Sequence, residues 1–278
     1  NLIKNPEIKI YAKLEGGNPG GSIKDRIGLR MIEEAERNGQ LIRGKTIIEA
    51  TSGNTGVALA MIGCVKKYPV DIVMSSLVSI ERRKTIEAFG ARVILTDAEK
   101  GTDGAIVKVR ELVAQNPGKY FWPDQFTNKY NKIAHYDTTA VEIWNQTGGE
   151  VNYFVPSLGT SGTLMGVGSA LKKINPAIKV VSAEPEKGHY IQGLKNLQEA
   201  IVPSIYDESL LDDIIIVETE AAFEMARQIV RKEGIFVGMS SGASMLAIKK
   251  ISKRLHYGTI VTIFPDRGER YLSTNLFS

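Results

Sequence analysis

Three glycine-rich segments of the sequence carry a lysine or hydroxyl side chains where a strand or loop turns into a helix. The first, Gly16-Gly-Asn-Pro-Gly-Gly-Ser-Ile-Lys24, places Lys24 in the first turn of a helix predicted over 23–38. The helix dipole disfavours an ammonium group at this end, so we expect the pKa of the Lys24 amine to be lowered. A lysine with a lowered pKa can form an imine with a carbonyl compound, whereas an ordinary surface lysine stays protonated and solvated.

The other two glycine-rich segments are suited to hold anions. Thr51-Ser-Gly-Asn-Thr-Gly56 follows a predicted strand at Thr46–Ala50, and its hydroxyls and backbone N–H groups could bind a carboxylate. Gly159-Thr-Ser-Gly-Thr163 follows a predicted strand at Val151–Val155 and forms a compact nest of N–H donors suited to a phosphate. Either segment alone could be an ordinary capped helix start. Three such junctions in one chain, one of them with a lysine, favour a binding site.

The elements that must position these segments are strands and helices in alternation. Apolar runs rich in β-branched residues alternate with segments of helical periodicity, which is typical of βα units and a largely parallel sheet. The first helix has clear signals, because Ser22 and Asp25 fit a capping box and Asn38-Gly39 ends it. The predicted strands are Thr46–Ala50, Asp71–Met74, Ala91–Leu95, Val151–Val155, Lys179–Ala183, Ile214–Val217 and Thr259–Phe264, and the predicted helices span 23–38, 55–67, 79–89, 102–115, 131–146, 163–174, 219–233 and 241–254.

The composition is that of a globular protein and excludes several classes. The chain has 278 residues, of which 43% are hydrophobic and 24% charged, and its net charge of +4 is too small to indicate nucleic-acid binding. One cysteine, Cys64, and three scattered histidines exclude a disulfide scaffold and a structural zinc site. No apolar run is long enough to span a membrane, and no leader pattern opens the sequence. We therefore expect a cytoplasmic α/β enzyme that binds no metal, membrane or nucleic acid.

Two further motifs match catalytic signatures in their letters but not in their context. The segment from Gly39 to Thr46 matches a Walker A loop, yet it follows a predicted helix and precedes a strand, the reverse of what phosphate binding requires. Gly238-Met-Ser240-Ser-Gly242 matches the nucleophile elbow of α/β-hydrolases. Those hydrolases have the order Ser, acid, His, whereas here the last histidine, His256, precedes Asp266. We expect neither a nucleotidase nor a hydrolase.

The motifs, taken in order, resemble the cysteine synthase and cystathionine β-synthase family of pyridoxal-phosphate enzymes. The matching segments cover nearly the whole chain and are Asn18–Arg26, Thr51–Gly56, Ser79–Lys84, Gly159–Thr163, Ser240–Gly242 and Asp266–Thr274. The stretch from Glu184 to Asp207, together with Asp266-Arg267-Gly268, is similar to the B-type (CysM-like) branch of cysteine synthases. The chain departs from the family at Ser75-Ser76-Leu77, where a proline-containing loop is common.

This resemblance implies an α/β fold of two twisted, mostly parallel sheets flanked by helices, as in the tryptophan synthase β subunit and other fold-type II pyridoxal-phosphate enzymes. A smaller mobile α/β domain at residues 18–128 would carry the substrate-carboxylate loop. A larger α/β domain, made of residues 1–17 and 129–278, would carry the phosphate loop. The resemblance also implies a homodimer.

The resemblance assigns roles to the site residues. Lys24 would bond to the aldehyde of pyridoxal 5′-phosphate and later act as the general base, and Asn54 would bond to the ring hydroxyl. Ser240 would face the pyridine nitrogen, a position for which Asp266 is the competing candidate. The phosphate would be held by Gly159, Thr160, Ser161, Gly162 and Thr163, and the substrate carboxylate by Thr51, Ser52, Thr55 and Gln125.

The implied reaction is a β-replacement that makes L-cysteine from sulfide and an O-activated L-serine, either O-acetylserine or O-phosphoserine, through an aminoacrylate. The alternative is the same fold acting on L-cysteine to release hydrogen sulfide and form serine, lanthionine or cystathionine. Lys195 would help to select the leaving group by meeting a phosphorylated serine with its ammonium, unless it is a solvated lysine in a polar loop. An inactive scaffold of the same fold is a further alternative, which the retention of Lys24 and all three loops disfavours.

Overall fold

The computed structural model describes residues 2–278, which form nine strands and nine α-helices joined by loops and single-turn helices. In chain order these are β1 Ile8–Leu14, α1 Lys24–Arg37, β2 Thr46–Ala50, α2 Asn54–Lys66, β3 Val70–Ser75, α3 Ile80–Ala88, β4 Arg92–Thr96, α4 Gly101–Gln115, β5 Tyr120–Phe121, α5 Lys129–Ala134, α6 Ala140–Gln146, β6 Tyr153–Phe154, α7 Gly162–Ile174, β7 Lys179–Pro185, β8 Asp213–Val217, α8 Thr219–Glu233, α9 Met239–Ser252 and β9 Gly258–Phe264.

The strands form two sheets in which each strand runs parallel to its neighbours. The larger sheet has the order β1-β9-β6-β7-β8, and the smaller has the order β4-β3-β2-β5. All four strands of the smaller sheet come from residues 46–121. The predicted fold class, two mostly parallel sheets flanked by helices, is confirmed.

The smaller sheet is buried on both faces, which explains why its central strands are almost continuously apolar. Ile47 and Ile72 pack on one face with residues of α1 and α2. Ile48 and Val73, the next residues along the same two strands, pack on the opposite face with residues of α4. Successive side chains of a strand point to opposite faces, so a sheet covered by helices on both sides needs apolar residues at every position.

The segments predicted to carry the site follow the carboxyl ends of strands in both sheets. Thr51 comes directly after β2, Gly159 lies shortly after β6, and Asp266 lies shortly after β9. The start of α1 is tied to the same edge, because Ile23 N donates to the carbonyl oxygen of Pro265 at 2.9 Å. The carboxyl edge of a parallel sheet is where α/β proteins bind their ligands.

The predicted capping box at the start of α1 is wrong. The Asp25 carboxylate accepts from Gly20 N at 2.5 Å, and Ser22 Oγ accepts from Lys24 N at 3.3 Å. The loop before α1 brings Gly20 next to the first helical turn, and the buried N–H of Gly20 needs an acceptor there, which Asp25 provides. Asp25 therefore stabilises the loop that leads into Lys24 and not the helix end itself.

Several other element predictions needed correction. The helix predicted over 131–146 is divided into α5 and α6 by one π-helical segment at His135–Thr139. The strand predicted at Val151–Val155 has only two residues in regular pairing, and β1 and β5 were not predicted. A two-residue strand such as β5 is too short to show an alternating pattern.

The Walker A-like segment is a connector, as predicted from its context. It forms the turn between α1 and β2, where Lys45 Nζ donates to the carbonyl oxygen of Gln40 at 2.7 Å. Within residues 2–278, no helix combines the length and the apolar character needed to cross a membrane. No group of His, Cys, Asp and Glu side chains in the same range is placed to hold a metal ion.

Candidate active site

One pocket is lined by residues of all three glycine-rich segments and of both sheets' connecting loops. The predicted site residues that line it are Lys24, Thr51, Ser52, Asn54, Thr55, Gln125, Gly159, Thr160, Ser161, Thr163, Lys195 and Ser240. Gly162 is the predicted residue outside this lining, and it begins α7. The pocket is also lined by Arg82, Gln192 and Tyr271, to which the sequence analysis assigned no role. Asp266, the alternative to Ser240, lines it too.

Lys24 is the first residue of α1, and its amine lies inside the protein. Nζ donates to Thr160 Oγ1 at 3.5 Å, which places the amine beside the predicted phosphate loop. Burial lowers the pKa of Lys24 from 10.5 to about 8, while the charge of Asp266 opposes this shift. The sequence predicted the direction of the shift but attributed it to the helix dipole. The cause in the structure is desolvation, which disfavours the charged form.

Arg26 fixes the first turn of α1 and so holds Lys24 in place. Its Nε donates to Glu15 Oε2 at 2.7 Å, and its Nη1 donates to Glu142 Oε1 at 2.7 Å. Glu15 is buried in the loop after β1, and Glu142 belongs to α6. Two charge-assisted contacts from one guanidinium therefore join α1 to elements on both sides of it.

The loop that begins α7 has the geometry of an anion site. Ser161, the residue before the helix, adopts a left-handed conformation with φ +67°, and its Oγ is buried without a hydrogen-bond partner among the described residues. Asn131 supports the loop by donating from Nδ2 to Thr160 Oγ1 at 3.0 Å. A Cβ at Gly162 would lie 1.9 Å from Asn131 Oδ1, so only glycine fits there. An unpaired hydroxyl at the start of a 13-residue helix suits a phosphate.

His135 supports the same loop, although the sequence analysis did not single it out as a site residue. It is fully buried, its Nε2 lies 3.2 Å from Thr163 Oγ1, and its Nδ1 lies 2.9 Å from Thr139 Oγ1. Burial holds the pKa of His135 well below 6.5, and the charges of Lys24 and Arg26 add to this effect. A neutral imidazole therefore bridges the π-helical segment to the end of the phosphate loop.

The segment after β2 is held in a conformation that exposes its hydroxyls to the pocket. Thr51 Oγ1 accepts from Gly53 N at 2.9 Å, so its own O–H remains available to a ligand. Thr55 Oγ1 donates to Gln125 Oε1 at 2.6 Å, and Gln125 Nε2 donates to the carbonyl oxygen of Ala50 at 2.9 Å. Three polar side chains converge there, which is consistent with the predicted carboxylate site.

Arg82 of α3 connects this segment to the opposite side of the pocket. Its Nη1 donates to the Ser52 carbonyl oxygen at 3.1 Å and to Gln192 Oε1 at 2.7 Å. Its Nη2 donates to Tyr271 OH at 2.5 Å and contacts Asp266 Oδ2 at 3.4 Å. Arg82 is 2% exposed, so a single buried guanidinium joins the smaller sheet's loops to the segments after β7 and β9.

Asn54 and Asp266 form a second polar pair next to Lys24. Asn54 Nδ2 donates to Asp266 Oδ2 at 2.6 Å, and Arg270 Nη1 donates to Asn54 Oδ1 at 2.8 Å. The second hydrogen of Asn54 Nδ2 remains available to a ligand. Ser240 lines the pocket from the first turn of α9 and is 6% exposed.

Lys195 lines the pocket but is not the solvated lysine that was the alternative prediction. Its Nζ lies 2.6 Å from Asp103 Oδ1, and its side chain is 8% exposed. The ammonium also lies 5.1 Å from the centroid of the Phe126 ring. The lysine is thus buried and already paired with a carboxylate of α4, a residue the sequence did not single out.

These residues fit a small molecule that carries both an aldehyde and a phosphate, as pyridoxal 5′-phosphate does. Lys24 offers a buried amine with a pKa of about 8, close enough to neutral pH for the free amine to be present. The loop at Ser161 offers an orphaned hydroxyl and a helix start for the phosphate. The contact between Lys24 and Thr160 places the two features side by side.

Comparison with known proteins gives concordant matches over nearly the full chain. The family described as pyridoxal-phosphate dependent enzymes matches residues 1–266. A cysteine synthase of Aquifex aeolicus is 50% identical over 277 residues, which cover 98% of this chain and 85% of that protein. Cysteine synthase B of Pseudomonas aeruginosa is 42% identical over 268 residues, covering 96% of this chain and 89% of that protein. The crystal structure of a hydrogen sulfide-producing enzyme from Fusobacterium nucleatum is similar with a TM-score of 0.92 and 45% identity, covering 98% of this chain and 94% of its own.

Proposed function

Because this chain belongs to the pyridoxal-phosphate dependent enzymes, in their cysteine synthase family, we propose that it makes L-cysteine from an O-activated L-serine and sulfide. The family expected from the motifs is confirmed, and pyridoxal 5′-phosphate is the cofactor of that family. The observation that carries the proposal is the convergence on one pocket of the Lys24 amine, the loop at Ser161 and the hydroxyls of Thr51 and Thr55.

The proposed reaction is a β-replacement. The bond between Cβ and the activated oxygen breaks and the leaving group departs with its electron pair. Sulfide then forms the new Cβ–S bond. With O-acetyl-L-serine and hydrogen sulfide as substrates, the products are L-cysteine and acetic acid.

Lys24 is the residue proposed to move the proton. The cofactor, when bound, withdraws electrons from the substrate Cα and so acidifies its proton. Lys24 Nζ accepts this proton and returns it to Cα after sulfide has added. Burial supports this role, because a pKa of about 8 allows the amine to gain and lose a proton near neutral pH.

The remaining residues are proposed to bind and orient. Thr160, Ser161, Thr163 and the backbone from Gly159 to Gly162 would hold the phosphate, and Asn54 would donate to the ring hydroxyl. We propose Ser240 for the ring nitrogen, since Asp266 is already engaged by Asn54, Tyr271 and Arg82. The substrate carboxylate would accept from Thr51, Ser52 and Gln125, and from Thr55 in place of the bond that Thr55 now donates to Gln125 Oε1.

The division into two domains is also a proposal. Residues 18–128 would move as a unit over the remainder when substrate binds, and would exclude water from the reacting Cβ. Arg82 and the pair formed by Lys195 and Asp103 join the two sides across the pocket, as expected for the closed position of such a unit. Movement of the unit would have to break these contacts.

The assembly of the protein is inferred from the resemblance, and its location from the composition of the sequence. We propose a homodimer, which the apparent mass in light scattering would test. We also propose a cytoplasmic enzyme, which fractionation of the source cells would test.

A second function is favoured by the similarity to the Fusobacterium nucleatum enzyme, which produces hydrogen sulfide. In that case the same pocket would take L-cysteine as substrate, and hydrosulfide would be the leaving group. Water, homocysteine or a second cysteine would then add at Cβ in place of the hydrosulfide and give serine, cystathionine or lanthionine, respectively.

One assay separates the two functions. The holoenzyme is supplied either with O-acetyl-L-serine and sulfide or with L-cysteine alone, and cysteine formation and sulfide release are measured under the same conditions. The proposed function predicts a higher kcat/KM for cysteine formation. A higher kcat/KM for sulfide release would favour the second function. Inactivity of the cofactor-loaded protein in both assays, and also with O-phospho-L-serine and sulfide, would indicate a scaffold.

A further inference from the structure

Asp103 and Lys195 form an ion pair that joins the two sides of the pocket. Asp103 lies in the first turn of α4, next to Thr102, which lines the pocket. Lys195 lies in the long segment after β7 and follows Gly193 and Leu194, which line the pocket too. Nζ and Oδ1 are 2.6 Å apart, and the second carboxylate oxygen, Oδ2, accepts from Ile201 N at 2.8 Å.

The Asp103 carboxylate offsets the positive charge that Lys195 brings to the pocket. Lys195 is the lysine that lines the pocket besides Lys24, and its side chain is 8% exposed against 31% for Asp103. An ammonium buried next to a carboxylate interacts with it strongly, because little water separates or screens the charges. A second anion that approached Lys195 would have to displace Asp103 or share the ammonium with it.

We propose that Asp103 determines the specificity for the leaving group by neutralising Lys195. The proposal rests on the proposed function and narrows its substrate to serines whose β-substituent is uncharged, such as O-acetyl-L-serine. The phosphate of O-phospho-L-serine would meet a cation already compensated and would be repelled by the Asp103 carboxylate. Lys195, expected from the sequence to attract such a phosphate, is thereby prevented from doing so.

Two single variants shift this balance in opposite directions. Asp103→Asn removes the negative charge but retains an oxygen that can accept from Ile201 N, so Lys195 becomes an uncompensated cation at the pocket. Lys195→Met retains an apolar stem against Phe126 and leaves Asp103 as an uncompensated anion. Glu111→Gln is the matched control, because Glu111 lies on the same helix, is exposed, and pairs with Lys108 outside the pocket lining.

The test measures kcat/KM of the holoenzymes for O-phospho-L-serine and for O-acetyl-L-serine, each with sulfide. The ratio of kcat/KM for O-phospho-L-serine to kcat/KM for O-acetyl-L-serine should rise about tenfold in Asp103→Asn. This is the size expected when the phosphate gains one charge-assisted hydrogen bond. The ratio should fall in Lys195→Met and stay at the wild-type value in Glu111→Gln. An unchanged ratio in both pocket variants, or equal losses for both substrates, would overturn the proposal and leave the pair a structural contact.

Further arms keep the test decisive. The double variant Asp103→Asn/Lys195→Met carries neither charge, so it should fold even if a single variant with one unpaired charge does not. Its kcat/KM ratio should lack the rise expected for Asp103→Asn. If wild type converts neither serine derivative, the proposed function fails. The role of Asp103 is then tested by the affinity of the variants for O-phospho-L-serine. The double variant should then bind O-phospho-L-serine more tightly than Lys195→Met does, because it lacks the uncompensated carboxylate. Equal affinities would overturn the proposal.

Discussion

Arg82 donates to the carbonyl oxygen of Ser52 at 3.1 Å, so the backbone of the proposed carboxylate loop is held by a side chain from the next helix. The same guanidinium reaches Gln192 and Tyr271 on the other side of the pocket. Its aliphatic part also fixes the loop conformation, because a Cβ at Gly53 would lie 2.2 Å from Arg82 Cδ. Gly53 has a φ of +136°, which only glycine adopts readily. The position of the carboxylate site thus depends on one buried arginine.

The Arg82→Lys variant tests this dependence. Lysine keeps the charge but cannot donate to Ser52, Gln192 and Tyr271 at once, since it lacks the planar fork of arginine. We expect KM for the serine substrate to rise about tenfold, corresponding to one hydrogen bond lost, with a smaller change in kcat. Arg83→Lys is the control, because among residues 2–278 the neighbouring guanidinium donates to the carbonyl oxygens of Ser76 and Val78 and not to the pocket. An unchanged KM in Arg82→Lys would show that the loop does not need this contact.

The lowered pKa of Lys24 predicts how pH affects cofactor binding. Attack on an aldehyde requires the unprotonated amine, and burial places the pKa of Lys24 at about 8. The rate at which cofactor-free protein takes up pyridoxal 5′-phosphate, followed by absorbance, should therefore rise with pH to a plateau with a midpoint near 8. Free lysine side chains, treated in parallel, should show a midpoint near 10.4. A protein midpoint in that higher range would mean that Lys24 is not desolvated.

His135 is expected to position the phosphate loop through Thr163. His135→Phe removes both ring nitrogens and leaves the hydroxyls of Thr139 and Thr163 without that partner, so cofactor affinity should fall by about tenfold. His135→Gln, which can still bond to Thr163, should recover part of the loss. The measurement is equilibrium titration with the cofactor, and His256→Phe at an exposed position is the control. Equal affinity in wild type and His135→Phe would exclude the positioning role.

Much of the fold could be predicted from the sequence because βα units are local patterns. The strands at Thr46–Ala50 and Thr259–Phe264 and most helices were placed within one or two residues, since continuous apolar runs and helical periodicity act within a few residues. β1 was missed because its burial alternates weakly and its partner, β9, lies at the far end of the chain. The pairing of β1 with β9 is long-range, and a local sequence pattern does not show it.

The site was predictable where chemistry lies in a contiguous motif and not where it depends on packing. Lys24 and the loop at Ser161 belong to such motifs, and both line the pocket. Arg82 also lies in a recognised motif, but its partners are up to 189 residues away in sequence. Likewise, Lys195 is buried and neutralised by Asp103, which is 92 residues away. Only the tertiary structure brings these charges together.

Glu49 should make the stability of the protein depend on pH. It is fully buried beneath the proposed carboxylate loop, where it accepts from Gln125 N at 3.3 Å and from Ala50 N at 3.0 Å. Burial raises the pKa of Glu49 from 4.5 to about 8, and the charge of Asp124 adds to this shift. Between pH 4.5 and 8, the folded protein therefore keeps a proton on Glu49 that the unfolded chain has released. The contribution of Glu49 to the free energy of unfolding falls as pH rises through this range.

The Glu49→Gln variant isolates that contribution. The free energy of unfolding is measured with urea at pH values between 5 and 8. Its slope against pH should be less negative in the variant than in wild type, by about 1 kcal/mol per pH unit. Glu111→Gln, at an exposed position, should leave the slope as in wild type. If the two Gln variants gave parallel pH profiles, Glu49 would be ionised in the folded protein at neutral pH.

The most direct test of the central claim is to identify the lysine that bonds to the cofactor. Purified protein is incubated with pyridoxal 5′-phosphate, reduced with borohydride, digested, and mapped by mass spectrometry, with Lys24→Ala treated in the same way. We predict one modified peptide, carrying the pyridoxyl group on Lys24, and no stoichiometric label in Lys24→Ala, which should retain the circular dichroism of the wild type. Stoichiometric label on another lysine, or an equally labelled Lys24→Ala protein, would contradict the assignment of this pocket as the active site.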